Sequence, residues 1–197
     1  MTSNATLEVV VLATPNQEPE RPSRERVAAQ SRGAREALSI SAELSGAGDA
    51  PWEKDHEHVP LSRDGWHWSI SHDAWWSVAI VGRSRVGIDV ERIERRRGEM
   101  VEALIAPTER RFLTDPDEVD ATVFARVWTA KEAVLKSVGI GLGALSRCVL
   151  VEPLGPEQVM LEYAGERCLV RQRIDASHVL SIHTPGDDWS VRWHQAP

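Results

Sequence analysis

Cysteine is scarce in this chain: only Cys148 and Cys168 occur in 197 residues, and neither belongs to a CxxC spacing. That excludes a disulfide-framed scaffold and a cysteine-based zinc ribbon. The two thiols read as small core residues of a reducing cytoplasm, with a single disulfide as the alternative. No run approaches the ~18 consecutive apolar residues of a membrane span. The start, MTSNATLEVVVLATP, has no basic residue ahead of its apolar stretch, which argues against a secretory signal and for a cytoplasmic protein. Positive charge is also in deficit: 23 Lys and Arg face 30 Asp and Glu, a net −7. Such a balance is poorly suited to coating nucleic acid. What is present, 42% hydrophobic and 27% charged residues with no long disordered tract, fits one ordinary domain or two small packed halves.

β-branched residues dominate 7–12, which predicts an opening strand. Pro15–Pro22 is polar and proline-rich, hence a loop, and a helix is expected over Ser23–Leu44 with Ser23 as N-cap. Residues 46–65 carry glycines and prolines among charges and read as loop. WHWSIS then alternates Trp66, Trp68 and Ile70 on one face, the strand period. WWSVAIVG and RVGIDVE are the next two strands. A second helix is expected from about Val119 to Ser137, followed by strands at 147–152, 158–163, 166–174, 178–183 and 189–193. AREAL (34–38) is echoed by AKEAV (130–134), and SIS-H-DAWWSV (69–78) by LSIHTPGDDWSV (180–191). These matches predict two similar α/β halves, 1–84 and 85–197, related by a pseudo-twofold axis with a ligand cleft between them.

Three elements carry chemistry. In RVGIDVE, alternation puts Gly87, Asp89 and Glu91 on one face. Carboxylates at i and i+2 stand about 6.6 Å apart along a strand, and at an effective dielectric near 20 their repulsion is of order 2.5 kcal/mol. A bound cation converts that cost into affinity; the plainer alternative is a hydrated strand end. Gly87 on the same face is read as room for a ligand to approach the backbone. In FARVWTAKEAVLK, Trp128, Glu132 and Lys136 line one helix stripe and Lys131 the neighbouring one. Glu132 and Lys136 also suit an ordinary i, i+4 pair. In SISHD, Ser71 and His72 offer hydrogen bonds to a phosphate. Together these supply three carboxylates for a hard cation, a lysine for phosphate charge and a donor pair, the chemistry of a Mg2+–pyrophosphate site.

In order and spacing, Ser69-Ile70-Ser71-His72, Gly87-Ile88-Asp89-Val90-Glu91 and Trp128-Thr129-Ala130-Lys131-Glu132-Ala133-Val134-Leu135-Lys136 resemble the motifs of the Sfp-type 4′-phosphopantetheinyl transferases, of the holo-acyl-carrier-protein synthase superfamily. Gly139-Ile140-Gly141-Leu142 is similar to the tail that follows that family's helix. The resemblance covers about residues 66–145. It implies a pseudodimeric α/β fold, acting as a monomer, with coenzyme A between the halves. It further implies Mg2+ (or Mn2+) on Asp89, Glu91 and Glu132. Coenzyme A phosphates would meet Lys136, Ser71 and His72, with Lys131 nearby. The implied activity is transfer of phosphopantetheine from coenzyme A to a serine of an apo acyl or peptidyl carrier protein, releasing 3′,5′-ADP. Glu132 is the implied general base, directly or through a metal-bound water.

The chain departs from the family where His58-Val59-Pro60 stands in place of a Gly-Lys-Pro. For the 3′-phosphate, Arg24, Arg26 and Arg32 are candidates, Arg32 foremost because its helix is the counterpart of the one bearing Glu132. Two other readings stay open: a non-catalytic relative that binds coenzyme A or carrier protein, and a metal-dependent phosphodiesterase, which the net charge disfavours. Arg92, Arg95, Arg96 and Arg97 form the dense cationic run expected to receive an acidic carrier, with Ala103–Pro107, Phe112 and Leu113 as apolar contact.

Overall fold

A sheet that must bury one face needs a helix laid along it, and the alternating and 3.6-residue patterns supply both partners twice. A computed structural model describes residues 5–14, 23–49, 51–113, 115, 118–186 and 188–196. The Pro15–Pro22 loop and the side chains of Ser23 and Arg26 lie outside the described residues. The described chain is a mixed α/β structure with two sheets. Its elements are β1 (Ala5–Ala13), α1 (Ser23–Leu44), β2 (His67–His72), β3 (Trp76–Gly82), β4 (Gly87–Arg92), α2 (Gly98–Leu104), α3 (Ala121–Val138), β5 (Val149–Leu150), β6 (Gln158–Tyr163), β7 (Glu166–Ile174), β8 (His178–His183) and β9 (Trp189–Ala196).

The chain divides into two units, Met1–Val86 with Asp187–Pro197, and Gly87–Gly186. In the first, the sheet order is β2-β3-β1-β9, with β1 antiparallel to β3 and parallel to β9. That parallel pairing, from Ala5↔Trp189 to Leu12↔Ala196, groups residues 187–197 with the first unit, whereas the sequence pattern places them in the second half. Helix α1 covers β1, β2 and β3. Its buried residues Ala34, Ala37, Leu38, Ser41 and Ala42 fall at i, i+3, i+4, i+7 and i+8, the stripe of a helix with one apolar face. Trp68 is buried in this core, and Trp66 and Ile70 pack against it, the face that alternation predicts.

In the second unit the order β4-β8-β7-β6-β5 is antiparallel throughout. Helix α3 lies on it, mainly over β4 and β8. Asp120 caps α3 by accepting from the Val123 amide at 2.7 Å. Gly139, at φ 74°, ends it: the Gly139 amide reaches the Lys136 carbonyl and the Ile140 amide the Leu135 carbonyl, a Schellman closure. Val127, Val134 and Leu135 enter a core shared with Leu150, Leu161 and Val170. Each such fully buried side chain contributes roughly 1.5–3 kcal/mol.

One expectation is corrected here, and the reading of the two cysteines as small core residues is met. Leu104, Ile105 and Leu113, expected as part of an apolar docking face, are instead buried in this core, while Ala103 and Pro107 are exposed. Cys148 and Cys168 are free thiols, both buried, and burial pushes the Cys148 thiol up to about 12.

Candidate active site on β4 and α3

Strand β4 is buried through Val90 on both faces, so Asp89, 5% exposed, is not the hydrated strand end that a DxE alone would suggest. The reason is Gly87. A Cβ there would sit 1.9 Å from the Ala133 carbonyl oxygen and 2.7 Å from the Ser137 amide nitrogen, both backbone of α3. The glycine thus lets helix backbone rest directly on strand backbone. The space read as a ligand approach is filled by α3, and its function is to bring that helix onto the carboxylate strand.

The result is a convergence of charge. Lys136 Nζ donates to Asp89 Oδ1 at 2.6 Å. Glu132 lies on the same helix stripe, 9% exposed, and its Oε1 is buried with no hydrogen-bond partner among the described residues. Burial and the Asp89 carboxylate, with a further push from Glu91, raise the Glu132 carboxyl to about 7 against the pull of Lys136. Glu91, at the strand end, is half-buried and accepts from Arg96 Nη2 at 3.0 Å.

Lys131 is not part of this group. It is 1% exposed, and its Nζ bonds Glu109 Oε1 at 2.8 Å and the Leu104 carbonyl at 2.6 Å. Glu109 in turn accepts from the Ala106 and Leu150 amides, each at 2.7 Å. The pair is a fully satisfied internal brace joining α3 to the 104–109 segment and β5, and a buried charge held this way does not turn to a ligand. Trp128 stacks on Phe124, centroids 6.0 Å apart, and packs on the core.

The remaining candidates belong to the first unit. Ser71 and His72 end β2, and as adjacent strand residues they leave opposite faces of it. Ser71 is buried and His72 half-buried. Arg32 is on the exposed face of α1.

The donors fit a hard divalent cation in kind. An orphaned, buried Glu132 oxygen beside Asp89 is an arrangement that positive charge would relieve, and all-oxygen sites select Mg2+ or Mn2+. Among the described residues no three His, Cys, Asp or Glu side chains are gathered closely enough to hold a metal; Lys136 engages Asp89 and Arg96 engages Glu91.

Sequence reasoning missed Arg96 as the partner of Glu91, and Gly87 as a packing residue. The first had a signal in the i, i+5 proximity of opposite charges beyond the strand end.

Comparison with known proteins points to one superfamily. The family model described as the 4′-phosphopantetheinyl transferase superfamily matches residues 85–180. A 4′-phosphopantetheinyl transferase of Bacillus subtilis is 29% identical over 118 residues, 58% of this chain and 52% of that protein. The 4′-phosphopantetheinyl transferase HetI of Nostoc sp. is 27% identical over 140 residues, covering 68% and 58%. Enterobactin synthase component D of Salmonella typhi is 34% identical over 80 residues, covering 40% and 34%. The matched stretches span between 34% and 58% of those relatives. No helix among the described residues is long and apolar enough to cross a membrane. Residues 85–180, which hold Asp89, Glu91, Glu132 and Lys136, are thus the part of this chain that is similar to the 4′-phosphopantetheinyl transferase superfamily.

Proposed function

We propose that this chain transfers the 4′-phosphopantetheine arm of coenzyme A to a serine of an apo acyl or peptidyl carrier protein. The observation that carries the reading is the seating of α3 on β4, which sets Glu132 and Lys136 against Asp89 within the segment that matches the family. The serine oxygen bonds to the β-phosphorus, the bond to the bridging oxygen breaks, and 3′,5′-ADP departs with that oxygen. Glu132, buried beside Asp89, is the general base that takes the serine proton. Lys136 sets positive charge where the pyrophosphate gathers negative charge. Asp89, Glu132 and Glu91 would hold Mg2+, which supplies charge neutralisation at the pyrophosphate when bound. Ser71, His72 and Arg32 are assigned to coenzyme A phosphates by resemblance of sequence; Lys131, held by Glu109, is withdrawn from that role.

Transfer is expected to stop in excess chelator and to return on adding Mg2+ or Mn2+. Full transfer in chelator rules the mechanism out. Asp89→Ala should weaken metal affinity more than Glu91→Ala, because Asp89 is buried beside Lys136 while Glu91 is half-exposed and held by Arg96. Calorimetric Mg2+ titrations giving the reverse order would make Glu91 the inner ligand.

The carrier docks on the arginine run. Arg95 and Arg96 border a cleft of about 210 Å3 with Val101, Val119 and Phe124. Since Arg96 engages Glu91, the clean test reverses its neighbours only. Arg95→Glu with Arg97→Glu should raise KM for carrier in a salt-sensitive way and leave KM for coenzyme A unchanged. An unchanged carrier KM means these arginines are merely solvated.

A further inference from the structure

A buried polar chain lies beside Glu132 that no step of the transfer uses. Thr129 of α3 and Ser181 of β8 are both fully buried. Their hydroxyl oxygens are 2.7 Å apart, and the Thr129 hydroxyl also donates to the Ala125 carbonyl at 2.8 Å. A hydroxyl has one hydrogen, so with that hydrogen given to Ala125 the donor between the pair is Ser181. Gln172 of β7 completes the set. Its Nε2 donates to Ser181 Oγ at 2.8 Å and to the Arg126 carbonyl at 2.9 Å, and its Oε1 accepts from Arg126 Nε at 2.8 Å. The hydrogens run one way, from Gln172 to Ser181 to Thr129 to Ala125. Every hydroxyl gives and receives, which is what makes a buried network rigid rather than costly.

Its place in the fold gives it a second meaning. Ser181 is the cross-strand partner of Asp89 in the β4–β8 ladder, so the two side chains stand side by side on the face that α3 covers. Thr129, Glu132 and Lys136 fall at i, i+3 and i+7 on that helix. The Thr129–Ser181 bond therefore ties α3 to the strand next to Asp89, one turn before Glu132. Apolar burial is non-directional and tolerates a small rotation of a helix over a sheet. A directed hydrogen-bond chain does not.

We propose that Thr129 is a positioning residue: through Ser181, its hydroxyl fixes the rotation and height of α3 so that Glu132 and Lys136 meet Asp89. The kinetic consequence rests on the transfer reading above; the geometric consequence does not.

Thr129→Val keeps the shape and removes the hydroxyl, Thr129→Ser keeps the hydroxyl, and Ser181→Ala removes the partner from the strand side. With the full chain, Mg2+, coenzyme A and an apo carrier, Thr129→Val and Ser181→Ala should lower kcat by about 10–10²-fold, the scale of a misplacement near 1 Å. KM for coenzyme A should move less than about threefold, and Thr129→Ser should hold kcat within about threefold of wild type. Crystal structures give a reading free of activity: the Lys136–Asp89 contact, 2.6 Å in the native chain, opens beyond hydrogen-bonding distance in Thr129→Val and is retained in Thr129→Ser. An unchanged contact in folded Thr129→Val, or a wild-type kcat, overturns the proposal. If the contact opens but wild type modifies no carrier, positioning stands and the transfer reading falls. If Thr129→Val does not fold, Ser181→Ala decides by the same two readings.

Discussion

Glu132→Gln should cut phosphopantetheine transfer by about 10²-fold or more, the loss expected when a positioned base or ligand is replaced by its neutral amide. Folding should survive, since the amide is nearly isosteric. The buried Oε1 makes no hydrogen bond among the described residues, which marks this side chain as one that serves the site rather than the scaffold. The metal-free protein offers a second signature. A free glutamate ionises near 4.5, and here the carboxyl is pushed up to about 7 by burial and by Asp89. The folded state then favours the protonated form. That contribution to stability is present in full below pH 4.5 and is lost as pH rises through 7. Glutamine has no proton to lose and escapes the loss. In chelator, the melting temperature of wild type should fall relative to Glu132→Gln between pH 5 and 8. Parallel curves, or near-normal turnover of the variant, would reduce Glu132 to a packing residue of the helix.

Gly87→Ala should be strongly destabilising, with the tightest clash of the glycines given an added carbon. The added carbon meets the α3 backbone at 1.9 Å, 2.7 Å and 2.9 Å, and no side chain can swing aside to relieve it. Either helix or strand must shift, at or beyond the upper end of the ~1–3 kcal/mol typical of overpacking. Because Asp89 is two residues along the same strand, the fraction that remains folded should also lose transfer. Gly143→Ala is the control, with nothing within 4 Å of the new carbon. Urea unfolding of both variants reads the difference. Equal midpoints would mean that α3 does not rest on β4 as described.

Gly87 also shows where sequence reasoning stops. A glycine in a strand signals that something approaches the backbone closely, and the pattern alone does not say whether it is a ligand or another segment. Local periodicity was informative: α1 and β6, β7 and β8 have the bounds expected of them, and the α3 stripe carrying Glu132 and Lys136 points where the spacing said. Partnerships between distant residues were not legible. The pairing of β9 with β1 joins strands more than 180 residues apart, and no local pattern encodes it. Lys131 differs from Lys136 only by its position around the helix, and its role depends on Glu109, 22 residues earlier. Helix α2 escaped notice because its seven residues follow an arginine run and bury only Leu104.

The most direct measurement is the intact mass of an apo carrier protein after incubation with this chain, coenzyme A and Mg2+. The expected result is a gain of one phosphopantetheine on wild-type carrier, none on a carrier whose acceptor serine is replaced by alanine, and little with Glu132→Gln as enzyme. A panel of acyl and peptidyl carriers that all keep their apo mass, with the chain folded and Mg2+ present, would contradict the assignment of transfer to the Asp89, Glu132 and Lys136 site.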